Sequence, residues 1–218
     1  VTAPTPSASP SASPFPYESQ WGDLRCNEPL IVRGESPARC HDWTVDGYAS
    51  AAEYEFWAAH VCGLACLRSV LRAWRPELGV VPMARLIAGA VAAEALVRRE
   101  DTVDGLSYRP FLAWIADEFA IEGEVVERTP TAAFLPLVRP GQVVLASVSP
   151  EIRWPERANE RRGGHLVLVH DRVGDRFVFH NPSGIGPTAA NATADVATFA
   201  RFHAERGMVL RDGRAALL

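Results

Sequence analysis

The chain has 218 residues, 48% of them hydrophobic, with a formal net charge of -4 and an isoelectric point near 5.9. That length and apolar content support one sizeable core, and the acidic balance excludes a general nucleic-acid or membrane-surface binder, since either needs a basic face. All 22 basic residues are arginine, a mark of coding bias rather than of phosphate binding, and no window approaches the roughly 20 apolar residues of a membrane-spanning helix.

The first 16 residues alternate Pro, Ser, Ala and Thr with nothing to bury, so a disordered or polyproline-like tail is expected over 1–16 and a single domain over 17–218. The start lacks the basic and apolar runs of a signal peptide. Val1 reads either as a non-ATG start or as an end left by processing. A disulfide between Cys26 and Cys40 would close a short loop, but the expectation here is free thiols in a cytoplasmic setting, with export as the alternative if Val1 is a processed end.

Residues 17–50, rich in Gly, Pro and Asp with scattered aromatics (Trp21, Trp43, Tyr48), read as an irregular segment over the domain surface. Ser50 caps a short helix from about Ala51 to Ala59, with Glu53 in its first turn. Cys66, Leu67, Val70, Leu71 and Trp74 recur at helical spacing, so 62–74 is the central buried helix, ended by Pro76. Met83, Leu86, Ile87, Ala90, Val91 and Val97 suggest a second helix, and Pro110 opens a third running to Phe119.

Beyond residue 121 the period becomes strand-like: 124–127, 142–148, 166–170, 176–180 and 208–211. A short helix begins at Thr129-Pro130, and a longer one is expected from about Ala194 to Arg206, closed by Gly207. Helices first and strands second indicate an α+β domain with an antiparallel sheet.

Cys62 falls where the central helix begins, and helix N-termini lower a thiol's pKa through unpaired N–H groups and the dipole. Gly63 beside it leaves room for a substrate backbone. Cys66, one turn later on the apolar stripe, reads as core. His165 follows Gly163-Gly164 and starts an apolar run. If Asp171–Asp175 form a five-residue hairpin loop, His165 stands across from Asn181, and Val167, Val169, Phe177 and Phe179 make an apolar wall on the same face. Asn181 then accepts the Nδ1 proton and aims the ring at the thiol. A one-residue slip would send the pair to opposite faces.

Of the other histidines, His170 and His180 fall on the hairpin's opposite face, His203 on the C-terminal helix, and His60 at the surface before the central helix. A metal site built from Cys26, Cys40, His41 and His60 or Cys62 lacks the close cysteine pairs of zinc motifs. Residues 181–187 lack the Lys-Ser/Thr and following helix of a nucleotide loop. No metal or cofactor is expected.

These residues resemble the C39-like cysteine peptidases, a branch of the papain-like superfamily, and within it the stand-alone bacterial type. The resemblance spans about residues 50–211 and rests on Cys62-Gly63 with Ala65-Cys66-Leu67, on Gly164-His165 before an apolar strand, and on Asn181-Pro182. It implies a papain-like fold, its helical N-terminal part and nucleophile helix packed on a C-terminal antiparallel sheet. It also implies a triad of Cys62 as nucleophile, His165 as base and Asn181 as orienter, acting on a peptide or protein substrate.

One departure is plain: the family's oxyanion glutamine, six residues before the nucleophile, is Phe56 here, and the chain has only Gln20 and Gln142. Trp57, with its indole N–H, is the candidate substitute. The leading expectation is a cysteine peptidase or amidase working through a Cys62 thioester, with the 150–162 loop helping to select substrate. Phe56 motivates the alternative of a catalytically weak binding module, and the same thiol would also serve an acyl or peptidyl transferase.

Overall fold

The computed structural model describes residues 13–214. In chain order they form α1 (Leu24–Arg33), α2 (Ala51–Ala58), α3 (Cys62–Trp74), α4 (Met83–Ala92), β1 (Val97–Arg98), β2 (Val103–Asp104), α5 (Tyr108–Phe119), β3 (Ile121–Glu127), α6 (Thr131–Phe134), β4 (Gln142–Val148), β5 (His165–Val173), β6 (Arg176–His180), β7 (Ala192–Asp195), α7 (Val196–Ala200) and β8 (His203–Asp212). Strands β1 and β2 pair with each other, and the other six form one antiparallel sheet in the order β3-β8-β4-β5-β6-β7. The α+β class expected from the sequence is observed, and no described helix is long and apolar enough to cross a membrane.

The middle of the sheet is buried on both faces, which explains why β4 is apolar at nearly every position rather than alternating. Val143, Leu145, Leu166, Leu168, Met208 and Leu210 face the helical layer, where α3 is buried from Gly63 to Leu71. Val144, Ala146, Val148, Val167, Val169 and Val209 face a second core with Phe134 of α6, Phe199 of α7 and Phe202. The first turn of α3 therefore meets the end of the sheet where β5 begins.

Several expectations need correction. Residues 17–50 are irregular only in part: within them α1 is a ten-residue helix capped by the Asp23 side chain, with Gly34 left-handed at its end. Pro29 inside it hid the signal. The long helix expected at 194–206 is five residues only, and β8 takes over from His203. Gly207 is a mid-strand residue rather than a helix stop, because a Cβ there would lie 2.5 Å from the Leu145 carbonyl oxygen of β4.

The hairpin loop is shorter than the five residues expected. Val173 pairs with Arg176, so only Gly174 and Asp175 turn the chain. That turn alone would set odd residues of β5 against even residues of β6 and part His165 from Asn181. A bulge at His170 inserts one residue, after which Val169 pairs with Phe179 and Leu168 with His180. Parity is restored, and Val167, Val169, Phe177 and Phe179 share one core as expected. Continuing this register sets His165 level with 183 rather than 181, so Asn181 reaches it diagonally.

Of the stretch expected as a tail, residues 1–12 lie outside the described residues, whereas 13–16 pack against the domain. Phe15 is buried edge-on to Trp74, and Ser69 of α3 donates to the Pro16 carbonyl at 2.6 Å. Residues 15–21 then run as a strap between α3 and the segment after β6. Arg68 of α3 is 3% exposed and pairs with Glu18 of the strap at 2.8 Å and with Asp46. The Gln20 N–H donates to Pro182 O at 3.1 Å, and Asn27 Nδ2 to Gly184 O at 2.7 Å.

Cys26 and Cys40 form a disulfide, with Cα atoms 5.6 Å apart, which overturns the expectation of free thiols at these positions. The sulfurs it joins are no longer available as metal ligands. The bridge closes a short loop, with a sequence separation of 14, for which the loss of chain entropy is worth about 3 kcal/mol. Reduction with Cys62 and Cys66 left intact is expected to lower the urea unfolding free energy by about that amount; an unchanged midpoint would contradict a structural role.

Candidate active site

Cys62 is the first residue of α3, as the sequence suggested. No side chain caps this helix, and the earliest N–H paired at its start is that of Ala65, to Val61 O at 2.8 Å. Among the described residues the N–H groups of residues 62–64 thus have no backbone acceptor, as at any helix start. Cys62 is partly exposed, whereas Cys66 is buried with its sulfur 3.7 Å from Leu166 O. A Cβ at Gly63 would lie 2.8 Å from Leu106 and 3.0 Å from Leu166. Glycine there lets α3 approach β5 closely, bringing the thiol beside the strand that carries the histidine.

His165 opens β5 after Gly163 and Gly164, whose φ angles of 80° and 90° are left-handed. Its Nε2 lies 2.8 Å from Asn181 Oδ1 and 3.2 Å from Ser183 Oγ. The Ser183 backbone N–H also points at Asn181 Oδ1, at 3.1 Å. Since that N–H can only donate, the amide orientation is fixed and Nε2 must carry the proton toward Asn181. This corrects the expectation that Nδ1 would do so. Nδ1 is therefore the unprotonated nitrogen, free to act as base.

Electrostatics depart from the sequence expectation at the thiol. Packing around the sulfur raises the Cys62 pKa, and the backbone N–H groups of Leu166, Gly63 and Cys62 itself offset this only in part. Desolvation lowers His165 to about 4, opposed by its bond to Asn181 and assisted by the nearby charge of Arg153. Burial outweighs the helix terminus, so the resting pair is a neutral thiol and a neutral imidazole.

Burial also pushes His170 down to about 3 and His203 to about 4. Their neutral forms suit the folded state, whereas in the unfolded chain they charge near pH 6.5. The unfolded state then binds more protons as pH falls, so stability is full above that value and is lost toward pH 4. Between pH 7 and pH 5 each of these histidines, His165 included, is expected to cost about 1–2 kcal/mol. Urea midpoints at the two pH values check this; equal midpoints would contradict it.

Two cavities meet at the thiol. The larger, of about 610 Å³, is lined by Gly63, Leu106, Tyr108, Glu127 and Arg206 among others. The smaller, about 400 Å³, is lined by Gln20, Trp21, Pro150, Arg153 and by Leu30, Ile31, Glu35 and Pro37 of the disulfide-closed loop. Ala59, Cys62, Gly164 and His165 belong to both. From the 150–162 loop only Pro150 and Arg153 reach this cavity wall.

Trp57, the candidate oxyanion donor, does not line either cavity: its ring is 4% exposed and packs in the helical core. Phe56 lies under the Arg98 guanidinium, 4.2 Å from the ring centroid, and offers no donor. The residue that sequence reasoning passed over is Gln20. It is 5% exposed, lines the smaller cavity as Cys62 does, and its Nε2 donates one hydrogen to Ala58 O at 2.9 Å. Its rarity in this chain was the only signal, since it lies 42 positions before the thiol.

The remaining histidines have other partners. His180 bonds Phe15 O at 2.8 Å through Nε2 and accepts the Asn191 N–H, while His170 meets Ser13. His203 is at the start of β8, not on a helix, and contacts Thr131 at 3.0 Å. His60 lines the larger cavity and stacks near Phe56. Among the described residues no three His, Cys, Asp or Glu side chains are grouped to hold a metal.

No protein-family model matches the chain, and no curated protein matches it. Among solved structures it is similar to the peptidase domain of Streptococcus ComA, a bi-functional ABC transporter involved in a quorum-sensing pathway, with 12% identity over 69% of this chain and 90% of that one. The TM-score is 0.43, so the chemistry rests on the site itself.

Proposed function

We propose that the protein is a cysteine hydrolase of C39-like, papain-like type, cleaving a peptide or amide bond. The observation that carries this reading is the fixed tautomer: Asn181 and Ser183 hold the Nε2 proton of His165, at the end of a strand packed on the helix that starts with Cys62. His165 Nδ1 takes the proton from the Cys62 thiol as sulfur adds to the carbonyl carbon. The C–N bond then breaks and the amine leaves with that proton. Water attacks the thioester, again giving its proton to Nδ1, and the acid departs as the thiol re-forms.

Because thiol and imidazole are both neutral at rest, proton transfer accompanies attack rather than preceding it as a stable ion pair. The developing oxyanion is met by the Cys62 N–H, which has no backbone acceptor at the helix start, and by the second hydrogen of the Gln20 amide. Gln20 thus takes the role that Phe56 cannot. Its position depends on the strap, which Arg68 holds to α3 through Glu18. The Cys26–Cys40 bridge favours work in an oxidising compartment over the cytoplasm.

The test is a peptide library incubated with the protein and read by mass spectrometry, with and without an added amine. Cleavage with water incorporation supports the hydrolase, and products joined to the amine indicate a transferase. Peptides left intact by a protein whose thiol is free would favour a binding module.

A further inference from the structure

The smaller cavity is lined by one arginine, Arg153. Among the described residues Arg153 forms no ion pair, although it is partly buried beside the candidate catalytic histidine. Its Nε donates to Pro150 O at 2.8 Å, one terminal nitrogen donates to Ser183 Oγ at 2.9 Å, and its guanidinium lies 5.4 Å from the Trp154 ring centroid. The side chain is held in place with further donors unspent. Glu35, on the same wall, is engaged with Arg33 at 2.6 Å, and Glu151 is the carboxylate whose field reaches Arg153.

A fixed, half-desolvated guanidinium is a ready receptor for a carboxylate, which it can grip with two parallel hydrogen bonds. Resting on the hydrolase reading above, we infer that the smaller cavity receives the leaving-amine side of the substrate and that Arg153 anchors a carboxylate there. The larger cavity, lined by Gly63, Leu106 and Tyr108, takes the acyl side. Ser183 links the two functions, since its hydroxyl contacts both Arg153 and His165 Nε2. Desolvation is the main cause that holds His165 down, and an anion on Arg153 would offset the smaller contribution of that guanidinium's charge.

The carboxylate has two sources: the C-terminus of a peptide cut near its end, or an Asp or Glu side chain just after the cut bond. Protection of Cys62 from iodoacetamide by alanine, by the α-amide of glutamic acid and by alaninamide separates them. One of the two carboxylates is expected to half-protect at a concentration at least 10-fold lower than alaninamide, which has no carboxylate. In Arg153→Met the difference should vanish, and in Arg153→Lys it should persist in part. Equal protection by all three in the wild type, or an unchanged preference in Arg153→Met, overturns the inference.

Cleavage of a library with free C-termini against the same library amidated tells this inference from the reading beneath it. Carboxylate-selective protection without any cleavage keeps the Arg153 site and removes the hydrolase. Cleavage indifferent to every carboxylate keeps the hydrolase and removes the Arg153 site.

Discussion

Cys62→Ala is expected to lower kcat roughly 10⁶-fold, the scale seen when a nucleophile is removed from a set of groups that act together. No other described residue replaces it: Cys66, one turn on, is buried against Leu166, and Cys26 and Cys40 are bonded to each other. The substitution removes one sulfur from a half-buried residue of the cavity wall, so the unfolding midpoint should stay close to wild type. His165→Ala should cost nearly as much, and the double variant little more than either, because thiol and base act as one unit. Turnover of the same peptides by Cys62→Ala within tenfold of wild type would contradict the thioester route.

The second large effect is at Gln20. If its amide stabilises the oxyanion, Gln20→Ala should reduce kcat by about 10²–10³ with a smaller change in KM. Gln20 also ties the strap to Ala58 O, so lost activity alone would not separate chemistry from structure. Alkylation of Cys62 by iodoacetamide does separate them, because displacement at a saturated carbon forms no oxyanion. The expected result is slow turnover with a wild-type alkylation rate. Equal losses in both would demote Gln20 to a structural tie. Full activity would return the oxyanion to the backbone N–H alone.

The parts legible in the sequence were those with local causes. The apolar stripe of α3 placed Cys62 at its first residue, and the apolar runs gave β4 and β6 to the residue, whereas β5 extends three residues beyond the expected end. The parity of β5 and β6 also came out correctly, but for an incomplete reason. The expected five-residue loop and the observed two-residue loop with a bulge at His170 differ in register by two residues, which leaves faces unchanged. A bulge has no pattern that period-2 counting detects, so Ser183, which completes the grip on His165, was missed.

Non-local causes hid the rest. Gln20 reaches the thiol only because Glu18 finds Arg68 and the Gln20 backbone finds Pro182, contacts between positions far apart in sequence. The helix-terminus argument for a depressed Cys62 pKa was sound locally and lost to desolvation, which depends on what packs over the sulfur. Phe202 and His203, buried in the second core, draw the expected C-terminal helix into a strand after five residues. Their spacing alone fits either structure.

The central claim is that His165 Nδ1 serves as base for the Cys62 thiol, and the rate of carbamidomethylation of Cys62 at pH 7 tests it most directly, compared between wild type and His165→Ala. Wild type is expected to label at least tenfold faster, with Asn181→Ala in between, because the free thiol alone is held in its protonated form. Equal rates in the wild type and His165→Ala would mean that the two side chains are neighbours without a shared chemistry.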